Sequence, residues 1–121
     1  MAYSDFSLAK VRDSFGLTLD ESRDLFSEIA STEPSEMLKL LLTDYVPLAA
    51  AIATETARSE FLIAPLIAEV RKQLHNQVSL FSGNEFSVDT SLGLYGFCDY
   101  IVSASPEQLL ITAPFVTIVE A

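Results

Sequence analysis

The spacing of apolar residues changes near position 77 of the chain. Before that point they recur at helical intervals, as in Leu8, Val11 and Phe15. After it, Gly, Asn and Ser separate short runs of β-branched and aromatic residues, which is typical of strands joined by turns. The pattern therefore predicts a helical first half and a small β-sheet in the second half.

Two helix starts are marked by capping residues. In the segment TLDE, Thr18 precedes Glu21 by three positions, which is the spacing of a capping box, and apolar residues follow. Ser35 stands directly before the apolar run EMLKLLL, so it is a second candidate N-cap. We expect one helix to begin near Thr18 and another to begin after Ser35.

A longer helix is expected over the segment PLAAAIATETARSEFLIAPLIAEVRKQL, from Pro47 to Leu74. The segment is rich in Ala, Leu and Glu, which have high helix propensity. Pro47 suits a first helical turn, whereas Pro65 lies in the interior and should kink the helix. The expected element is one long, bent helix.

Three later segments predict strands: EFSVD, GFCDYIVSA and LLITAPFVTIVEA. We therefore interpret the chain as α+β, with a helical N-terminal half followed by a small mixed β-sheet. A length of 121 residues fits one domain, and no repeats or low-complexity linkers divide the chain. The expected organisation is a single domain over residues 1–121.

Composition and charge narrow the classes of function. Seven Lys and Arg against seventeen Asp and Glu give a formal net charge of −10, which repels phosphate backbones at long range. Cys98 is the only cysteine and cannot form an internal disulfide, which favours a reducing, cytoplasmic location. The N-terminal segment lacks a secretion signal, and no apolar run reaches the roughly 18 residues of a membrane span.

Two acidic residues interrupt otherwise apolar strands. Asp99 lies within GFCDYIVSA and Glu120 within FVTIVEA. An unpaired ionised carboxylate in such a setting costs several kcal/mol or shifts its pKa. Each acid is explained by a solvent-facing position or a strand end, or both converge on a divalent cation held by oxygen ligands.

The acids occur in an order that resembles a known family. ETARSEFLIAP places Glu55 ten residues before Pro65, GLYGFCDY carries Asp99, and FVTIVEA carries Glu120. A helix with Glu, a strand, a strand with Asp and a strand ending in Glu-x-Lys form the core of the PD-(D/E)xK nuclease superfamily. The chain resembles the N-terminal part of its restriction-endonuclease-like αβββ core, with residues 1–46 as a helical accessory region and 47–121 as a partial nuclease-like core.

The resemblance implies roles for individual residues. Glu55, Asp99 and Glu120 are the expected catalytic acids. Asp99, Glu120 and the carbonyl of Ala121 are the expected ligands of Mg²⁺, for which Mn²⁺ could substitute. Glu60 and Glu69 are alternatives to Glu55, because they lie on the same predicted helix.

The family motif also implies a lysine after Ala121, and the sequence ends before it. In the family this lysine helps to place the attacking water and offsets charge that develops on the phosphate. We therefore expect a fragment of a divalent-metal-dependent DNA nuclease that cleaves little or no DNA itself. DNA is the expected partner of the parent enzyme.

Other residues have simpler explanations than catalysis. His75 falls at the expected end of the long helix, where an imidazolium interacts well with the helix dipole. Cys98 adjoins Asp99, so strand alternation points it to the opposite face and into the core.

A non-catalytic interaction module that uses a remnant nuclease fold is the alternative function. A small sheet without its covering elements leaves an apolar face and an open edge. We therefore expect a homodimer or higher oligomer built on the C-terminal strands, with the region from Leu109 to Val119 at the contact.

Overall fold

The computed structural model describes residues 3–121. Helices precede a three-stranded antiparallel sheet in these residues, so the predicted α+β class is confirmed. A π-helical turn joins the third and fourth helices, and short 3₁₀ turns lie at Tyr3–Asp5 and Thr90–Leu92. The elements are α1 (Leu8–Phe15), α2 (Glu36–Ile52), α3 (Glu55–Arg58), the π-helical turn (Ser59–Ile63), α4 (Ala64–Gln73), β1 (Ser79–Asp89), β2 (Leu94–Ser103) and β3 (Phe115–Val119).

The chain forms two compact units. Unit 1 contains residues 3–32 and Glu85–Gly96, which is the far part of the β1–β2 hairpin. Unit 2 contains Glu33–Asn84 and Phe97–Ala121, and therefore holds α2, α3, α4 and most of the sheet. All the predicted site residues belong to unit 2.

The helix predicted to begin at Thr18 does not form. Gly16 ends α1 in the left-handed conformation, with φ of 62°, and residues 17–35 contain no helix. The carboxylates of Asp20 and Asp24 instead each accept the backbone N–H two residues further on. These local hydrogen bonds satisfy donors in turns and compete with a helix, so the prediction was wrong.

The start of α2 agrees with the sequence, and its end does not. Ser35 is its N-cap, since its hydroxyl accepts the Leu38 N–H at 3.2 Å. The helix passes through Pro47 and ends at Ala53, whose φ is 59°. Thr54 then caps α3. The single long helix predicted from Pro47 was therefore wrong, because the left-handed Ala53 and the N-cap at Thr54 separate two helices.

The helix is widened directly before Pro65. Five residues, Ser59–Ile63, form a π-helical turn in which the Ala64 N–H bonds to the Ser59 carbonyl. Proline has no N–H to donate, and in α-helical geometry its ring clashes with the carbonyl four residues earlier. The π-helical turn ends just before Pro65, and α4 continues from Ala64 with Pro65 in its first turn.

The sheet has the order β1-β2-β3, and β3 pairs with β2 antiparallel. The predicted mixed sheet was wrong, because parallel neighbours need a long crossover, whereas β1 and β2 are joined by only a short turn. The third strand begins at Phe115 rather than at Leu109. The Glu107 carboxylate accepts the Leu109 and Leu110 N–H groups and holds that segment in a turn.

The core of unit 2 lies between α4 and the sheet. Ile67 of α4 packs with Tyr100 and Val102 of β2, and all three are at most 9% exposed. Partly buried residues surround this cluster: Ile63, Ala64, Val78, Leu80 and Val119. Across residues 3–121, the helices are too short or too polar to cross a bilayer.

Candidate functional site

Asp99 and Glu120 meet at the border of β2 and β3. Tyr100 of β2 is opposite Val119 of β3. Continuing this register by one residue places Asp99 opposite Glu120, and directly opposed residues share a sheet face. The Ala121 N–H donates to Oδ2 of Asp99 at 2.8 Å. The structure thus brings together the two strand acids that the sequence singled out.

The electrostatics of this pair are unfavourable to two negative charges. Although the side chain of Glu120 is exposed, partial desolvation of its carboxyl raises its pKa, and the negative charge of Asp99 raises it further. A hydrogen bond from the Asp99 backbone opposes the rise, whereas a side-chain hydrogen bond with Asp99 adds to it, as does the charge of Glu55. Two carboxyl groups can bond to each other only if one carries a proton. A positive charge beside the two carboxyl groups would therefore stabilise their ionised form.

A pocket of about 260 Å³ adjoins the pair, and we call it the acidic pocket. Asp99 lines it, whereas Glu120 does not. Of the three candidate helix acids, Glu55 and Glu60 line the pocket and Glu69 does not. The lining residues are Glu55, Thr56, Ser59, Glu60, Ser82, Asp99, Tyr100 and Ala121.

Glu69 instead fixes the start of α2. Its carboxylate accepts the Ser35 backbone N–H at 2.6 Å, the Ser35 hydroxyl at 2.8 Å and the Gln73 side-chain amide at 3.1 Å. The hydrogen bond from the Ser35 backbone is the main reason that the pKa of Glu69 is lowered, followed by that from the Ser35 hydroxyl. Glu69 is only 9% exposed, and its role is to hold two helices together.

The ligand set at Asp99 and Glu120 fits a hard divalent cation. Mg²⁺ prefers oxygen ligands and is often held by one or two carboxylates while it keeps several waters. Within residues 3–121, no three His, Cys, Asp or Glu side chains are grouped so that they could hold a metal ion. Glu55 therefore lines the pocket without completing a three-carboxylate set with Asp99 and Glu120.

His75 and Cys98 have structural positions. His75 follows Leu74, the C-cap of α4, with φ of 55°, and its N–H donates to the Lys72 carbonyl at 3.0 Å. Cys98 is 5% exposed. Burial raises the pKa of its thiol, and the charges of Glu120 and Asp99 add to the effect. A thiol kept protonated is a poor nucleophile.

Sequence reasoning missed Ser59 and Tyr100. The Tyr100 hydroxyl lies 2.6 Å from the Ser59 hydroxyl and donates to the Ser59 carbonyl at 2.9 Å. A tyrosine next to a candidate ligand was visible in the sequence, but its partner lies 41 residues away. Only the fold brings the two together.

The chain was compared with families, curated proteins and solved structures. No protein-family model, curated protein or solved structure matches it.

Proposed function

We propose that the chain binds a divalent cation, Mg²⁺ or Mn²⁺, through Asp99 and Glu120, and is the metal-binding part of a PD-(D/E)xK-type DNA nuclease. The main observation in support of this proposal is the contact between the two carboxyl groups, which raises the pKa of Glu120. A bound cation would offset the repulsion between the two carboxylates. The order of Glu55, Asp99 and Glu120 along the chain supports the same proposal.

The chain's own residues have separable roles in this proposal. Asp99 and Glu120 hold the cation, and the Ala121 N–H orients the Asp99 carboxylate by donating to Oδ2. The bound cation would polarise a phosphoryl oxygen and lower the pKa of an attached water. Glu55 lines the pocket at a position where it can orient such a water by accepting its hydrogen bond.

Cleavage also needs positive charge near the phosphate, and none of the eight lining residues is Lys or Arg. The sequence has no Lys or Arg after Lys72. We therefore propose cation binding for this chain and DNA hydrolysis for a protein that adds the motif lysine to this region.

Isothermal titration with Mn²⁺ tests the proposal. We expect one site in the wild-type chain and a loss of at least about ten-fold in affinity in Asp99→Asn, since a charged ligand is removed. Glu28→Gln is the matched control, because it removes one negative charge from an exposed residue of unit 1. Equal affinities in Asp99→Asn and Glu28→Gln would show that Mn²⁺ binds only through the net charge.

A second candidate function, self-association, is supported by β3. This strand lies at the edge of the sheet, and Val116 and Ile118 are 60% and 46% exposed. The run from Leu109 to Val119 contains no charged residue. Edge strands usually carry charges that prevent pairing. We propose that a second copy of the chain covers β3 in a two-fold contact that buries upwards of about 1,000 Å².

Light scattering with size exclusion tests self-association at micromolar concentration. We expect a dimer for the wild-type chain and a folded monomer for Val116→Lys. Val88→Lys is the control, because Val88 has a similar exposure of 63% but lies in β1. A monomeric wild-type chain would reject this second function and leave the cation site untouched.

A further inference from the structure

Ser59 and Tyr100 are joined by two hydrogen bonds whose protons can be assigned. A tyrosine hydroxyl has one proton, and that of Tyr100 goes to the Ser59 carbonyl. The 2.6 Å contact between the two hydroxyls must then use the Ser59 proton, with the Tyr100 oxygen as acceptor. Each hydroxyl therefore donates once, and the pair forms a closed loop between helix and strand.

The π-helical turn makes this loop compatible with the helix. The Ser59 carbonyl already accepts the Ala64 N–H, five residues ahead. A carbonyl oxygen has two lone pairs, and the second one accepts from Tyr100. Tyr100 is 4% exposed and Ser59 is half-buried. The loop is a part-buried connection in which each hydroxyl has a partner.

Each of the two residues in the loop is close in sequence to one acid that lines the acidic pocket. Ser59 comes one helical turn after Glu55, and Tyr100 directly follows Asp99. All four residues line the acidic pocket. α3 is the first turn of a helical run that continues through the π-helical turn into α4, and the end of a helix frays more readily than its interior. The position of Glu55 relative to Asp99 therefore depends on a contact that ties α3 to β2.

We propose that Tyr100 is a positioning residue, whose hydroxyl holds α3 against β2 and so fixes the distance between Glu55 and Asp99. This inference rests on the proposed cation site for its functional consequence. Removal of the Tyr100 hydroxyl should therefore loosen α3. It should weaken cation binding because Glu55 is displaced. Tyr100 itself does not touch the cation.

Amide hydrogen exchange measured by NMR without metal tests the structural half. The Arg58 and Ser59 N–H groups bond to carbonyls of residues 54 to 56, so they report on α3. We expect Tyr100→Phe to speed their exchange about five-fold, the change expected for one hydrogen bond. Amides of α4 after Leu66 should keep their rates. Unchanged exchange at Arg58 and Ser59 would overturn the proposal.

Two variants control for the loss of a hydroxyl. Tyr45→Phe removes the same atom from a ring that packs on Phe61, 5.3 Å between centroids, and the Tyr45 hydroxyl makes no hydrogen bond within residues 3–121. Its exchange rates should match those of the wild type. Ser59→Ala removes one bond of the loop and leaves the carbonyl acceptor, so its effect should be intermediate.

A double-mutant cycle on Mn²⁺ affinity tests the functional half. We expect Tyr100→Phe to weaken binding about three-fold in the wild-type background and to have no effect in Glu55→Gln, since coupled residues are not additive. Equal losses in both backgrounds would overturn the positioning role. If the wild-type chain binds no Mn²⁺, the proposed cation site fails, and the exchange rates alone decide whether Tyr100 holds α3.

Discussion

Unit 2 holds two acidic sites, and their surroundings shift the pKa of a glutamate carboxyl in opposite directions. Glu69 accepts three hydrogen bonds, from Ser35 and Gln73, and its pKa is lowered. Glu120 faces another acid, Asp99, and its pKa is raised. Both were candidates for the same function in the sequence. A carboxylate surrounded by donors thus has a structural role, whereas the Asp99–Glu120 pair lacks such donors and is the site for which we propose a cation.

The Glu69→Ala substitution should lower stability more than any other substitution at these two sites. It leaves the half-buried Ser35 N–H without its partner and separates α4 from the start of α2. We expect the largest fall in Tm among the substitutions proposed for these sites, with Mn²⁺ affinity unchanged. Differential scanning calorimetry and titration measure the two quantities. Glu28→Ala is the control, because Glu28 is exposed and lies in unit 1. A normal Tm with weakened Mn²⁺ binding would reverse the assignment of the two sites.

A smaller loss is expected for Ser35→Ala. The substitution removes the N-cap acceptor for Leu38 and one donor to Glu69, but it keeps the backbone N–H. Loss of an N-cap costs about 1 kcal/mol, and urea unfolding measures it. Ser7→Ala removes the N-cap of α1 and is the matched control. Because Ser7 lacks a distant carboxylate partner among the described residues, its loss should be the smaller of the two.

The smallest effects are expected from pH, and they have opposite signs at the two sites. The folded pKa of Glu120 is raised, so its contribution is favourable at low pH and is lost as pH rises through the folded pKa. Glu120→Gln should therefore raise Tm slightly at neutral pH, by at most about 2 °C because the residue is exposed and screened.

The folded pKa of Glu69 is lowered, so its stabilisation is present above the ordinary glutamate pKa and is lost as pH falls through the folded value. Thermal unfolding of wild type, Glu120→Gln and Glu69→Gln between pH 3 and about 8 measures both trends. The same sign of pH dependence at both sites would contradict the comparison.

Local signals in the sequence predicted the parts of the fold that depend on local contacts. Ser35 caps α2 as expected, and the strand acids Asp99 and Glu120 meet. The helix expected at Thr18 failed because Asp20 and Asp24 satisfy backbone donors in turns instead. The capping box was present in the sequence, but it did not outweigh these competing bonds.

The rest depended on partners far apart in the chain. Glu69 supplies Ser35 with the carboxylate that a local capping box would take from its third helical position, although the two residues are 34 positions apart. No spacing rule could assign that role, so Glu69 remained a candidate site acid. The Ser59–Tyr100 contact could not be predicted for the same reason, since only the packing of the helix on the sheet creates it.

The side chain of Gln108 has a consequence for how copies of the chain could assemble. Its amide accepts the Leu80 N–H at 3.0 Å and donates to the Leu80 carbonyl, so it stands where a neighbouring strand would pair with β1. The chain itself thereby occupies the outer edge of β1 at Leu80, while β3 forms the other edge of the sheet. The proposed pairing through β3 would give a six-stranded sheet with β1 at each end. Gln108 would then oppose the addition of a further strand at Leu80.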